Sequence, residues 1–253
     1  MMNNIFDSHA HYDDEWFDGD RDELLSSLPS QGVCGVVNNS VDLRSAEKVI
    51  ALAEKYDYIY AAVGFHPENL DDMPEDYLQK VAELTKHPKV VAIGETGLDY
   101  HWDIPREKQK RIFEEQLRLS LELEMPIVVH DREAHGDTFD LLRRYKPRAL
   151  VHCFSGSVEL MREAVKLGFY ISLGGVVTFK NARQSVEVAS EIPLDRLLLE
   201  TDAPYMSPVP FRGKRNDSAK IVYAAEKIAS LRGIGIQELL DITCDNAKRF
   251  YKI

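Results

Sequence analysis

The chain has 253 residues, of which 44% are hydrophobic and 29% charged, enough apolar material for one sizeable core. A formal net charge of −11 excludes a protein that coats DNA by general electrostatics, though not an enzyme that neutralises phosphates locally. No run of about 18 apolar residues would span a membrane, no basic and apolar leader marks secretion, and three scattered cysteines (Cys34, Cys153, Cys244) with no CxxC pair point to a reducing cytoplasm.

Short β-rich runs alternate with amphipathic helical segments along the whole chain. The strand candidates, in order, are NIFDSHAH (4–11), GVCGVVNNS (32–40), YIYAAVGFHP (58–67), KVVAIGET (89–96), PIVVHD (126–131), RALVHCFSG (148–156), FYISLGG (169–175) and RLLLETD (196–202). Most are near-continuous Val, Ile and Leu, as in a sheet buried on both faces. Between them, RSAEKVIALAEKY (44–56), REKQKRIFEEQLRLSLELE (106–124), DTFDLLRRYK (137–146) and SVELMREAVKLG (157–168) carry apolar residues at helical spacing. The Pro-rich stretch TDAPYMSPVPFRGKRN (201–216) reads as the longest loop, and two further helices begin near Ser218 and Ile236. Eight strands each followed by a helix, with no linker or composition break, predict an α/β fold: a (β/α)8 TIM barrel forming one domain over 1–253. An open doubly wound sheet would place a Gly-rich turn after its first strand; here that strand ends in His-Ala-His.

The strand ends hold the chemistry. His9 and His11 stand two apart in an extended segment, so both imidazoles share a face. His66 ends the third strand, Glu95 the fourth, His130 the fifth, His152 the sixth and Asp202 the eighth. In a barrel these ends meet on the face that carries active sites. Unrelated histidines would scatter over both barrel ends and the outer helices. Four imidazoles and two carboxylates exceed what one tetrahedral ion needs. Two divalent ions bridged by Glu95 would use the set, His9 and His11 holding one and His130 and His152 the other, with Asp202 on the first ion or on its water. Such a pair, about 3.5–4 Å apart, clamps an attacking and a leaving oxygen and lowers the pKa of water towards ~7. Asp202 then orients that water and accepts its proton. Zinc, manganese, nickel, iron or magnesium all remain candidates, since availability often decides.

The ordered series FDSHAHYDD, GFHPE, IGETGLDY, PIVVHDREA, HCFSG and LLLETDAPY…RGKRN resembles the motifs of the TatD-type deoxyribonucleases in the metal-dependent hydrolase (amidohydrolase) superfamily, and TCDNAKRFY is similar to the family's last helix. The resemblance implies a TIM barrel that hydrolyses DNA phosphodiesters with divalent metal, and metal ligands at His9, His11, Glu95, His130, His152 and Asp202, the same six. Two departures stand near the site: Asp131 where Ser or Thr is expected, and NDS after the basic loop where NEP is commoner.

Around this centre, His66 and Arg132 are candidate phosphate contacts. Arg212, Lys214 and Arg215 form a concentrated basic patch on the last loop, where guanidinium forks suit phosphate oxygens. Asn216 is expected to cap the following helix, His87 to be structural, and Tyr205 either to stack on a base or to pack on its own prolines. The expected partner is DNA, single-stranded or at ends, with no membrane and no obligate protein partner. Two other functions compete: a hydrolase of another ester or amide, such as D-aminoacyl-tRNA, and a non-catalytic scaffold stabilised by metal. The basic loop favours a phosphate-bearing substrate over the first, and the intact Asp202 argues against the second.

Overall fold

A computed structural model describes residues 2–253. Eight parallel strands are hydrogen-bonded in chain order: β1 (Ile5–Ala10), β2 (Val33–Asn39), β3 (Ile59–Val63), β4 (Val90–Asp99), β5 (Ile127–Arg132), β6 (Ala149–Val151), β7 (Tyr170–Leu173) and β8 (Leu197–Leu199). Around them run α1 (Arg21–Ser27), α2 (Leu43–Lys55), α3 (Tyr77–Leu84), α4 (Arg106–Glu122), α5 (His135–Tyr145), α6 (Val158–Lys166), α7 (Arg183–Glu191), α8 (Ile221–Arg232) and α9 (Ile236–Tyr251). All eight expected strands are present, and the fold is a (β/α)8 barrel. Its seam lies just beyond β8, where the Asp202 amide donates to His9 O (3.0 Å), the His11 amide to Ala203 O (2.7 Å) and Ser8 Oγ to Leu199 O (2.9 Å). No helix among the described residues is long and apolar enough to cross a membrane.

The barrel has two apolar layers. Side chains such as Ile5, Val129, Val151 and Leu199 face the helices, while Phe6, Val37, Val128, Leu150, Tyr170 and Leu198 fill the interior. Phe250 and Tyr251 of α9 extend the inner cluster and plug the lower end, where Tyr251 Oη donates to Ser8 O at 2.8 Å. The upper end is left to polar side chains.

Strand alternation carries the inner face upward to those polar residues. In β5 and β6 it runs unbroken, from Val128 to His130 and from Leu150 to His152. In β1 and β4 it does not. Asp7 pairs with Val36 but Ala10 with Asn38, and Ile93 pairs with Ile127 but Thr96 with Val129, so each strand carries one extra residue. Such a bulge re-aims every side chain beyond it. Without it, His9 and His11 would share the outward face of Ile5, and Glu95 that of Ile93.

Gly97 shows how tightly the strands beyond the second bulge are set. It pairs with His130 at φ +146°, and a Cβ there would stand 2.0 Å from the His130 carbonyl oxygen. Gly97→Ala is therefore expected to destabilise the protein by about 1–3 kcal/mol, the range for a side chain forced into glycine backbone, and to weaken metal binding by displacing His130. Thermal melting and metal titration of the variant measure both; wild-type values for the two would contradict this reading.

Candidate metal centre

Glu95 is the hub of the barrel mouth. It is buried, and its two carboxylate oxygens face different groups. Oε2 lies 3.2 Å from both His9 Nε2 and His11 Nε2, which are themselves 3.0 Å apart. Oε1 lies 2.8 Å from His130 Nδ1 and 2.8 Å from His152 Nε2. Asp202 closes the first group, its Oδ1 3.5 Å from His11 Nε2 and 3.7 Å from His9 Nε2, and it is partly open to solvent. All six expected ligands thus converge on one place.

Hydrogen bonds alone do not explain this packing. The triangle of His9 Nε2, His11 Nε2 and Glu95 Oε2, with sides of 3.0 to 3.2 Å, cannot be bridged pairwise by linear hydrogen bonds. A cation just above its centre would stand about 2 Å from each corner, the usual length of a metal–nitrogen or metal–carboxylate bond. The donor set therefore fits a divalent metal.

Outer partners aim the donor atoms. The His11 Nδ1–H donates to Asn39 O at 2.9 Å, leaving the Nε2 lone pair for the centre. His130 Nε2 lies 2.9 Å from Asp99 Oδ2, which turns Nδ1 towards Glu95. His152 Nδ1 faces Glu200 Oε1 at 3.7 Å, and Glu200 is itself held by the Ser172 hydroxyl. Such partners raise ligand basicity and orient the ring. The ring of His9 stacks flat on that of His152, with centroids 3.8 Å apart.

His66 differs from the other four. Its Nε2 lies 3.4 Å from Glu95 Oε1, close enough to group with Glu95 and His130 as a possible ligand. Yet its Nδ1 accepts the Glu68 amide at 3.2 Å, so in the neutral ring the hydrogen sits on Nε2. His66 thus points a donor into the centre, and burial, which pushes its pKa down, keeps it neutral.

The rim residues separate into free and engaged. Arg132 is exposed, with Nη1 3.9 Å from Asp99 Oδ2. Arg212 stacks over the Phe179 ring at 3.6 Å and, like Lys214, is exposed and has no ion-pair partner among the described residues. Arg215 is engaged: it grips both oxygens of Asp20 at 2.7 and 2.6 Å, donates to Trp16 O at 2.8 Å and lies over Phe17. Arg215, a candidate phosphate contact from the sequence, braces the first loop to the last in this structure. Asn216 does not cap the next helix either. Its amide donates to Thr201 O and Tyr205 O, and Asp217 is the cap, accepting from the Ala219 amide. Asp131, the departure beside His130, turns to His135 at 2.7 Å, and His87 meets Glu54 away from the mouth.

Sequence reasoning missed Asp99, Glu200 and Asp7. Asp99 was findable, because Glu95, Gly97 and Asp99 stand two apart in one strand and share a face. Asp7 is buried outside the barrel wall, where Thr201 and Ser218 donate to it. Burial pushes its carboxyl up to about 7 against the hydrogen bonds that Ser218 and Thr201 make to it.

The electrostatics follow from the crowding. Burial opposes the charge on Glu95, but His152, His9 and His66 around it hold its carboxyl well below the usual range. Asp202 is lowered likewise, burial being outweighed by the hydrogen bond from His11 and the nearby rings. Burial lowers His9, while for His11, His130 and His152 it is outweighed by carboxylates that push the rings up, His130 to about 9.

Fold and donor set together define a metal-dependent hydrolase of the barrel type. Comparison with known proteins names the family: residues 6–252 match the one described as TatD related DNase, and the chain belongs to it. The uncharacterized metal-dependent hydrolase YabD of Bacillus subtilis is 45% identical, over 98% of this chain and 99% of its own. The 3'-5' ssDNA/RNA exonuclease TatD of Citrobacter koseri is 32% identical over 98% and 99%. The crystal structure of the TatD homologue YjjV from Escherichia coli K12 superposes with a TM-score of 0.93 at 31% identity, covering 100% of both chains.

The raised histidines make metal uptake a proton-releasing reaction. In the metal-free protein the surrounding carboxylates favour the protonated rings of His11, His130 and His152, and a metal must displace that proton. Affinity should therefore climb as pH rises from the ordinary histidine value of 6.5 towards about 9, where His130 itself gives up its proton. Calorimetric titration of metal-free protein at pH 7 should show heats that change with the ionisation enthalpy of the buffer. Buffer-independent heats and a pH-independent affinity would contradict this charge assignment.

Proposed function

We propose that the protein is a deoxyribonuclease that hydrolyses phosphodiester bonds of DNA, acting on single strands or at ends in the cytoplasm. The observation that carries the reading is the Glu95 carboxylate, each oxygen facing its own set of imidazoles, with the partly open Asp202 beside one of them. That division supports two divalent ions, with His9, His11 and Asp202 on the Oε2 side, His130 and His152 on the Oε1 side, and Glu95 shared. When bound, such ions polarise phosphoryl oxygens and lower the pKa of water enough to supply hydroxide near neutral pH.

The chain's own residues do the rest. Asp202, held ionised at neutral pH, orients the attacking water and takes its proton as general base. Its φ of +57° and the hydrogen bond from its amide to His9 O fix the carboxylate over the first imidazole pair. His66 presents Nε2–H to a non-bridging phosphate oxygen entering beside Glu95. Arg132, Arg212 and Lys214 meet the flanking phosphates at the rim, and the Arg215–Asp20 pair keeps the last loop in place for them. The family description and the name of the Citrobacter relative favour a nucleic acid over another ester or amide.

Digestion of end-labelled single- and double-stranded DNA by metal-loaded and chelated protein tests the reading. Cleavage of the single strand that chelation abolishes and metal restores is the expected result; no cleavage by fully loaded protein would overturn it. Asp202→Asn keeps the shape of the side chain but not its basicity. Its turnover should fall about 10²–10⁴-fold while its melting temperature stays near wild type and at least one metal still binds. Turnover near wild type would mean that another group activates the water.

A further inference from the structure

Of the eight large apolar side chains exposed among the described residues, Leu121, Leu123 and Ile253 lie on or after helices, and the other five gather in three loops. Trp16, Trp102 and Tyr205 are 49%, 48% and 47% exposed, and Met206 and Val209 stand out beside Tyr205. These five lie in loops that leave the upper ends of β1, β4 and β8. Both tryptophans of the chain are among them. Large aromatics left half in water at the rim of a polar centre, rather than in the core, indicate a surface made for a ligand.

Trp16 and Tyr205 form one pair of open aromatic faces, their ring planes 59° apart. Their ring centroids are 6.4 Å apart, the Tyr205 hydroxyl donates to Asp14 Oδ2 at 2.7 Å, and Arg215 binds Trp16 O at 2.8 Å. The two loops are thus tied together while the rings keep open surface. Trp102 forms a second platform. The His101 amide donates to Asp99 Oδ1 at 2.9 Å, the Ile104 amide to Trp102 O at 2.9 Å, and the loop walls a cleft of about 390 Å³ between His101 and Arg106. In an eight-stranded barrel β4 stands opposite the β8–β1 seam. The platforms therefore flank the metal centre on opposite sides.

Electrostatics alone would hold a polyanion poorly here. The net charge is −11, Asp20 neutralises Arg215, and the Trp16 loop also carries Asp14, Glu15 and Asp18. Affinity for a nucleic acid strand needs an uncharged source, and base stacking on aromatic rings is one that tolerates any sequence. Only an unpaired strand offers free base faces.

We propose that Trp16 with Tyr205, and Trp102 across the mouth, are stacking platforms for the bases on either side of the scissile phosphate, and that they give the site its preference for unpaired strands. The proposal rests on the nuclease reading above and adds the residues that recognise the substrate.

Because the two tryptophans are the chain's only ones, intrinsic fluorescence reports both platforms. Metal-loaded Asp202→Asn protein is titrated with oligothymidylate and with an abasic strand of equal length and charge. Quenching by the first and little by the second is expected, each of Trp16→Phe and Trp102→Phe removing part of the signal. With otherwise wild-type protein, KM for the abasic strand should be about tenfold or more above that for oligothymidylate, and the gap should narrow in Trp16→Ala and Trp102→Ala, whose folding and metal content are checked separately. Equal KM values and base-independent fluorescence would overturn the platforms while cleavage upheld the nuclease reading. No cleavage of either strand would overturn that reading, and this proposal with it.

Discussion

A carboxylate buried among imidazoles is the constraint on which the upper half of this barrel is built. Glu95 could not stay ionised in the interior unpaired, since burying an uncompensated charge costs several kcal/mol. Its neighbours meet that demand from four other strand ends, His9 and His11 on one oxygen, His130 and His152 on the other, with His66 alongside. The same crowding makes the site reactive. Imidazoles close enough to hold Glu95 ionised are close enough to share cations with it, and Asp202 stays charged beside them.

Much of this arrangement was legible from residue order. Near-continuous apolar runs alternating with helical periodicity indicate eight strands and a barrel, and a barrel brings strand ends to one face, so the candidate ligands follow from topology before any geometry. What escaped is what the period-two rule cannot see. The extra residues in β1 and β4 leave no pattern in the sequence, yet they decide that His9, His11 and Glu95 point inward. The spacing of His9 and His11 showed that they share a face, not which face. The bracing role of Arg215 escaped for another reason. Its partner Asp20 is 195 residues away, and a pairing set by the approach of two loops cannot be read from a local basic run.

The loops at the mouth spend most of their charge on each other. Arg215 pairs with Asp20 and Tyr205 with Asp14, tying the first loop to the last. Among the described residues of this rim that leaves Arg212 and Lys214 without an ion-pair partner and Arg132 3.9 Å from Asp99, too few cations to draw in a duplex from a distance, where each Lys or Arg contact weakens steeply with salt. On the proposed reading, such a site would depend on short-range recognition, with metals and His66 at the phosphate and aromatic faces on the bases.

On the proposed reading, Glu95 divides the donors into two metal positions. Anomalous diffraction from crystals of the protein loaded with a transition metal, recorded at that metal's absorption edge, tests it most directly. Two peaks are predicted, one beside His9, His11 and Glu95 Oε2 and the other beside His130, His152 and Glu95 Oε1. A single peak at full loading, with His130 and His152 still turned to Asp99 and Glu200 and free of metal, would contradict the account.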